Sequence, residues 1–225
     1  MIDLDKYKAV IFDWDGTLVD TCGILLEAHN HVRTSFEEPL WTMEEYMAKP
    51  SFSAREFFKM IYDGRAEEAE IIFYEFIEEK HLEFLKPMNG VVEFFELTDL
   101  PLGVVSNKRH PTLNIEVDKM EWRPQFKSII GAGQAKKDKP APDPLLMAIN
   151  EIDENIQGSD ILYVGDTETD LLTGKAVGAD LVFIQSDRPR PDLIEKHIPS
   201  YVFDDLKSFV DAVTLGNSTP NKQAV

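Results

Sequence analysis

The stretch Asp13-Trp14-Asp15-Gly16-Thr17-Leu18-Val19-Asp20 begins where a strand-like run, Tyr7 to Phe12, gives way to a glycine turn. Open α/β sheets carry their chemistry at the carboxyl ends of strands, and a glycine there lets the backbone pass close to a bound group. Two carboxylates two residues apart leave the strand end along neighbouring paths. One can attack or bind a metal while the other exchanges protons. Taken alone, the same eight residues also read as an acidic turn after an edge strand.

Three further strand-like runs end in polar residues suited to phosphate or metal. Leu102 to Val105 leads to a hydroxyl, Ser106, and an amide, Asn107; Lys139-Pro140-Ala141-Pro142 places a cation in a stiff loop; Ile161 to Gly165 leads to the carboxylates Asp166 and Asp170. Each has an ordinary explanation in isolation: a helix cap, a solvated lysine, a plain turn. Their order along the chain carries the argument.

In that order the four segments resemble the motifs of the haloacid dehalogenase-like hydrolase superfamily, and the likeness runs from about residue 7 to residue 210. The resemblance implies a Rossmann-like core, a doubly wound parallel α/β sheet, formed by residues 1–20 and 87–213. A helical cap is implied at 21–86; residues 214–225, whose Gly, Asn, Ser, Thr, Pro and Gln show no apolar period, are expected to be disordered. Asp13 is implied as the nucleophile and Asp15 as general acid and base. Lys139 is the fixed cation, and Gly16, Thr17, Ser106, Asn107 and Lys139 surround the phosphoryl group. Magnesium is implied as cofactor, held by the Asp13 and Asp166 carboxylates and the Asp15 carbonyl, with Asp170 behind them as a support or occasional ligand. The activity implied is a phosphoglycolate-phosphatase-like hydrolysis of a small phosphorylated metabolite through an aspartyl-phosphate.

Composition agrees. The 225 residues are 43% hydrophobic, ample for a core, and 41 acidic against 23 basic residues give a net charge of −18. That field disfavours nucleic acid, anionic membrane and polyanionic substrates. One cysteine, Cys22, excludes an intrachain disulfide and reads as packing at a helix start. With no basic or long apolar leader, a cytoplasmic protein is expected, as a monomer or homodimer.

Between Thr21 and Lys86 apolar residues recur at helical spacing: Ile24, Leu25, Ala28, Val32, then Ala69, Ile72, Phe73, Phe76, Ile77. Such an insertion after the nucleophile loop suits a lid that excludes water and chooses the substrate. Lys49, Ser51 and Arg55, around Pro50, are the candidate substrate contacts; His29 and His31 are weaker ones. His31, near the apolar stripe, is expected to be a packing histidine. After the cap, helices and strands alternate, with Val202 and Phe203 as a last edge strand.

Trp14 resembles the phosphonate-cleaving branch, but that branch lacks an acid at the Asp15 position. Dehalogenases lack it too. A phosphosugar mutase shares core and cap type, and a phosphate-responsive binding module remains as a different class, against which Asp15 argues.

Overall fold

The computed structural model describes residues 2–49, 54–186 and 189–217. The chain begins with β1 (Ala9–Phe12), β2 (Val19–Asp20), α1 (Cys22–Ser35), α2 (Met43–Met47), α3 (Ala54–Ile61), α4 (Ala66–Phe84) and β3 (Lys86–Pro87). It continues with α5 (Val91–Leu97), β4 (Leu102–Arg109), α6 (His110–Lys119), β5 (Phe126–Ala132), α7 (Asp143–Ile152) and β6 (Ile161–Gly165). The last elements are α8 (Glu168–Val177), β7 (Asp180–Ile184), α9 (Pro191–His197), β8 (Tyr201–Phe203) and α10 (Leu206–Asn217). Two compact units result, one of Met1–Asp20 with Pro87–Val225, the other of Thr21–Lys86.

In the first unit six strands form one sheet in the order β5-β4-β1-β6-β7-β8, with every neighbouring pair parallel. This is the doubly wound α/β sheet that the strand pattern predicts. β1 and β6 are buried along their whole length, which is why they read as unbroken apolar runs rather than as alternating ones. One face of the sheet packs Ile11, Val105, Ile130, Tyr163 and Phe183 against Leu145, Ala148 and Ile149 of α7 and Leu171 of α8. On the other face Phe12 meets Phe94 edge to face and Phe94 stacks on Phe209, with ring centroids 5.2 and 5.5 Å apart. Burying each such side chain contributes about 1.5–3 kcal/mol. The chain builds outward from β1 to one edge and then, from β6, to the other. That reversal opens a crevice at the carboxyl ends of the central strands.

β4 runs to Arg109, beyond the expected end near Val105, because it bulges. Val105 and Arg109 pair with Ile130 and Ala132, so four steps on β4 match two on β5. Helix α9 is not foreshadowed by the sequence pattern; its seven residues bury only Leu193 and His197, too few to show a period. Residue 214, where the sequence places the start of a tail, is helical instead. Helix α10 continues to Asn217, with the Thr214 hydroxyl donating to the Val210 carbonyl, and residues 218–225 lie outside the described residues. No helix among the described residues is long and apolar enough to cross a membrane.

The second unit contains α1 to α4 around Ala28, Val32, Phe36, Phe58, Tyr62, Ala69 and Phe73. The buried histidine is His29 rather than His31: His31 is exposed, its ring 5.0 Å from that of Phe76, while His29 is 4% exposed with its Nδ1 3.0 Å from the Tyr62 hydroxyl. The rings of Phe73 and Phe57 lie 4.7 and 4.8 Å from the His29 ring, so the aromatic residues of α3 and α4 select the face. Burial, and then Arg33, lower the His29 pKa from 6.5 to about 4. A depressed histidine is neutral in the fold but takes a proton in the unfolded chain between those values, so stability falls as pH drops from about 6.5 to 4. The full effect is on the order of 3 kcal/mol. Between those pH values a His29→Gln variant should lose less stability than the native chain by about that amount, as urea unfolding would show; parallel losses would contradict the assignment.

Candidate active site

Asp13 is the first residue past β1, and its amide donates to the Val164 carbonyl of β6 at 2.9 Å, which fixes the exit of the loop. The loop then closes on itself. The amides of Leu18 and Val19 donate to the Trp14 carbonyl at 2.9 and 3.1 Å, and the Gly16 amide donates to the Val19 carbonyl at 2.9 Å. The Gly16 amide expected to face phosphate is therefore committed to the turn. Glycine is needed there for two reasons: φ is +78°, and a Cβ would lie 2.3 Å from Asp166 Oδ2. The Thr17 hydroxyl, also expected at the phosphate, donates to Asp166 Oδ1 at 3.1 Å.

Lys139, 6% exposed, reaches the same place from the loop between β5 and α7. Its Nζ lies 2.7 Å from Asp13 Oδ1, 2.6 Å from Asp170 Oδ1, 2.9 Å from the Val105 carbonyl and 3.3 Å from the Tyr163 hydroxyl. Asn107 holds that loop in place, accepting from the Lys139 amide and donating to its carbonyl, both at 3.0 Å. Ser106, on the β4 bulge, accepts the Lys108 amide at 3.1 Å.

Asp166 follows β6, and Asp170 lies in the first turn of α8. Thr167 and Asp170 cap that helix reciprocally, the Thr167 amide donating to Asp170 Oδ2 at 3.0 Å. Gly165 permits this approach, since a Cβ on it would stand 2.4 Å from that of Asp170. Asp13, Asp166 and Asp170 bring carboxylate oxygens within 4.8 Å of one another.

Charge divides these three acids. Burial, then the neighbouring Asp170, push the Asp13 pKa up to about 7 despite Lys139. Burial, then Asp13 and Asp170, push Asp166 well above the ordinary range. Burial also opposes ionised Asp170, but Lys139, Thr167 and Tyr163 outweigh it and hold its carboxyl below the usual value. Lys139 stays protonated because Asp13 and Asp170 overcome the effect of burial. Asp170 is thus the counterion of Lys139, with both oxygens engaged by donors, while Asp13 and Asp166 lack a full complement of positive charge. A hard divalent cation with oxygen ligands fits that deficit.

Asp15 lies apart from this cluster. Its Oδ1 is 2.7 Å from Lys108 Nζ, which is also 2.6 Å from Glu116 Oε2 on α6, and the Trp14 indole N–H donates to the same Glu116 oxygen at 2.6 Å. Burial disfavours the Lys108 ammonium, but Asp15 and Glu116 outweigh it and raise its pKa. Sequence reasoning assigned no role to Lys108, Glu116 or Tyr163. Lys108 adjoins Ser106 and Asn107 and could have been found there; Glu116 carries no local signal.

Of the proposed substrate contacts, Lys49 has its ammonium 4.8 Å from the centre of the Trp41 ring in its own unit. Arg55 lies on α3, and Ser51 falls outside the described residues.

A family model described as haloacid dehalogenase-like hydrolase matches residues 10–184. Pyrophosphatase PpaX of Bacillus mycoides is 23% identical over 208 residues, which is 91% of this chain and 96% of that protein. A haloacid dehalogenase-like family hydrolase from Streptococcus pneumoniae superposes with a TM-score of 0.78 at 19% identity, covering 92% of this chain and 99% of that one. A predicted phosphoglycolate phosphatase from Haemophilus somnus superposes with a TM-score of 0.74, also at 19% identity, covering 92% and 98%.

Proposed function

Because the chain belongs to the haloacid dehalogenase-like hydrolase family, we propose that it is a magnesium-dependent phosphomonoesterase acting on a small phosphorylated metabolite. The observation that carries this reading is the separation of two aspartates only two residues apart. Asp13 sits in a buried acidic cluster beside Lys139, and Asp15 lies apart from that cluster on a different lysine. Two carboxylates in unlike surroundings suit two roles, nucleophile and proton carrier.

Asp13 attacks the phosphorus in line to form an aspartyl-phosphate, and Asp15 gives the leaving oxygen its proton. Asp15 then takes a proton from the water that hydrolyses the intermediate. Lys139, the Ser106 hydroxyl and the Asn107 backbone N–H neutralise and orient the phosphoryl oxygens. Magnesium held by Asp13, Asp166 and the Asp15 carbonyl would offset the repulsion between carboxylate and phosphate. The names of the relatives, a pyrophosphatase and a phosphoglycolate phosphatase, both belong with small phosphorylated anions. The net charge of −18 favours such substrates over polyanions. Substrate choice belongs to the helical unit on this reading, with Lys49, Ser51 and Arg55 as its candidate contacts.

Chelation should abolish phosphate release, magnesium should restore it, and calcium should do so poorly because its larger, more flexible shell misplaces nucleophile and phosphate. Asp166→Ala should behave like the chelated protein and lose the rise in melting temperature that magnesium gives the native chain. Full activity in chelator, at negligible metal content, would contradict the reading. Isomerisation of a sugar phosphate without net phosphate release would instead identify a mutase.

A further inference from the structure

Glu116 is 1% exposed, and its partner Lys108 has a side chain 13% exposed. Buried ion pairs rarely stabilise a fold relative to apolar groups of the same size, so their presence calls for another explanation. Here the explanation lies at the far end of the network. The Trp14 indole, itself fully buried and packed edge-on against Trp122 at 5.8 Å, donates to Glu116; Glu116 holds the Lys108 ammonium; Lys108 holds Asp15 Oδ1. A lysine stem is flexible, and a fixed carboxylate behind it imposes one position. Glu116 also cancels the ammonium charge, so no uncompensated cation stands beside a group that has to carry a proton.

Resting on the phosphatase reading above, we propose that Trp14, Glu116 and Lys108 form a positioning strut for Asp15. Lys108 fixes Oδ1 and thereby presents Oδ2 to the leaving group. As Asp13 forms its bond to phosphorus, the ester P–O bond breaks with its electron pair on the leaving oxygen, and that oxygen takes the proton from Asp15 Oδ2. Lys108 and Glu116 act through Asp15 and are positioning residues. They also give Trp14 a purpose: it ties the loop carrying both aspartates to the helix that follows β4.

The test is kcat/KM on a series of aryl phosphates, because a weakly acidic leaving phenol needs the proton and a strongly acidic one does not. Lys108→Met should lower kcat/KM for phenyl phosphate by roughly ten- to a hundredfold and leave para-nitrophenyl phosphate within about threefold. Lys108→Arg, which keeps a donor, should recover part of the loss. Lys108→Met combined with Glu116→Leu removes both buried charges. It should recover melting temperature relative to Lys108→Met alone yet keep the leaving-group dependence. Equal losses on all phenols, or recovery of phenyl phosphate hydrolysis in the double variant, would overturn the strut. Asp15→Asn serves as the control. A selective loss there without one in Lys108→Met would leave Asp15 as the acid and reject the strut, whereas no selective loss in Asp15→Asn would reject the role of Asp15 itself.

Discussion

Asp13→Asn is expected to lower kcat by roughly four orders of magnitude or more while the variant melts no lower than the native chain without metal. The amide is close in shape to the carboxylate but cannot attack phosphorus. The expectation for stability follows from the surroundings of Asp13. Burial and Asp170 already push its pKa up to about 7, so the charged form is held at a cost that the amide does not carry. Lys139 loses one partner yet keeps Asp170, the Val105 carbonyl and Tyr163. Steady-state kinetics and a thermal melt, run on the same preparation, check both halves. Near-native turnover by a folded variant would remove Asp13 from the nucleophile's place.

Lys139→Met should be the most destabilising single change in the site. It leaves Asp13 and Asp170 buried at the loop end without their shared ammonium, a situation that typically costs about 3–5 kcal/mol. The sign of its pH dependence follows. Without the ammonium, both carboxyls titrate higher in the fold than in the unfolded chain, so the fold binds more protons and stability falls as pH rises. The penalty is small below the ordinary carboxylate value of 3.8, grows through that range, and continues past the value of about 7 that Asp13 already has. Denaturant unfolding at about pH 5 and about pH 8 should therefore show a larger deficit at the higher pH. A deficit independent of pH would mean that lost packing, not lost charge, is responsible. Activity should fall as well, because Lys139 is the only protein cation bonded to Asp13 among the described residues.

The sheet was legible because parallel strands buried on both faces are written as short, unbroken apolar runs, and Ala9 to Phe12 and Ile161 to Val164 are of that kind. Asp13, Lys139, Asp166 and Asp170 could be named in advance because the segments that carry them resemble the family's motifs in order, and the fold brings them together. What the sequence hid depends on direction. Gly16 and Thr17 lie in the loop as expected, but the amide of one and the hydroxyl of the other turn inward, which a turn's composition does not encode. Trp14 and Glu116 are 102 residues apart. A glutamate on a helix looks the same whether it faces water or a buried lysine, so its role emerges only when β1 and α6 are placed in space. The two histidines of α1 show a related limit: two positions apart on one helix, they are sorted by aromatic residues contributed from α3 and α4.

The central place of β1 in the sheet has a consequence for how the chain is made. Both of its neighbours are encoded much later, β4 from Leu102 and β6 from Ile161. During synthesis the loop carrying Asp13 therefore leaves the ribosome beside a strand with no partner on either side. Unit Thr21–Lys86, by contrast, is one continuous segment and can condense while the rest is still being translated. The long loop closures that complete the sheet come last, so the arrangement around Asp13 is a late product of folding although Asp13 itself is among the earliest residues made.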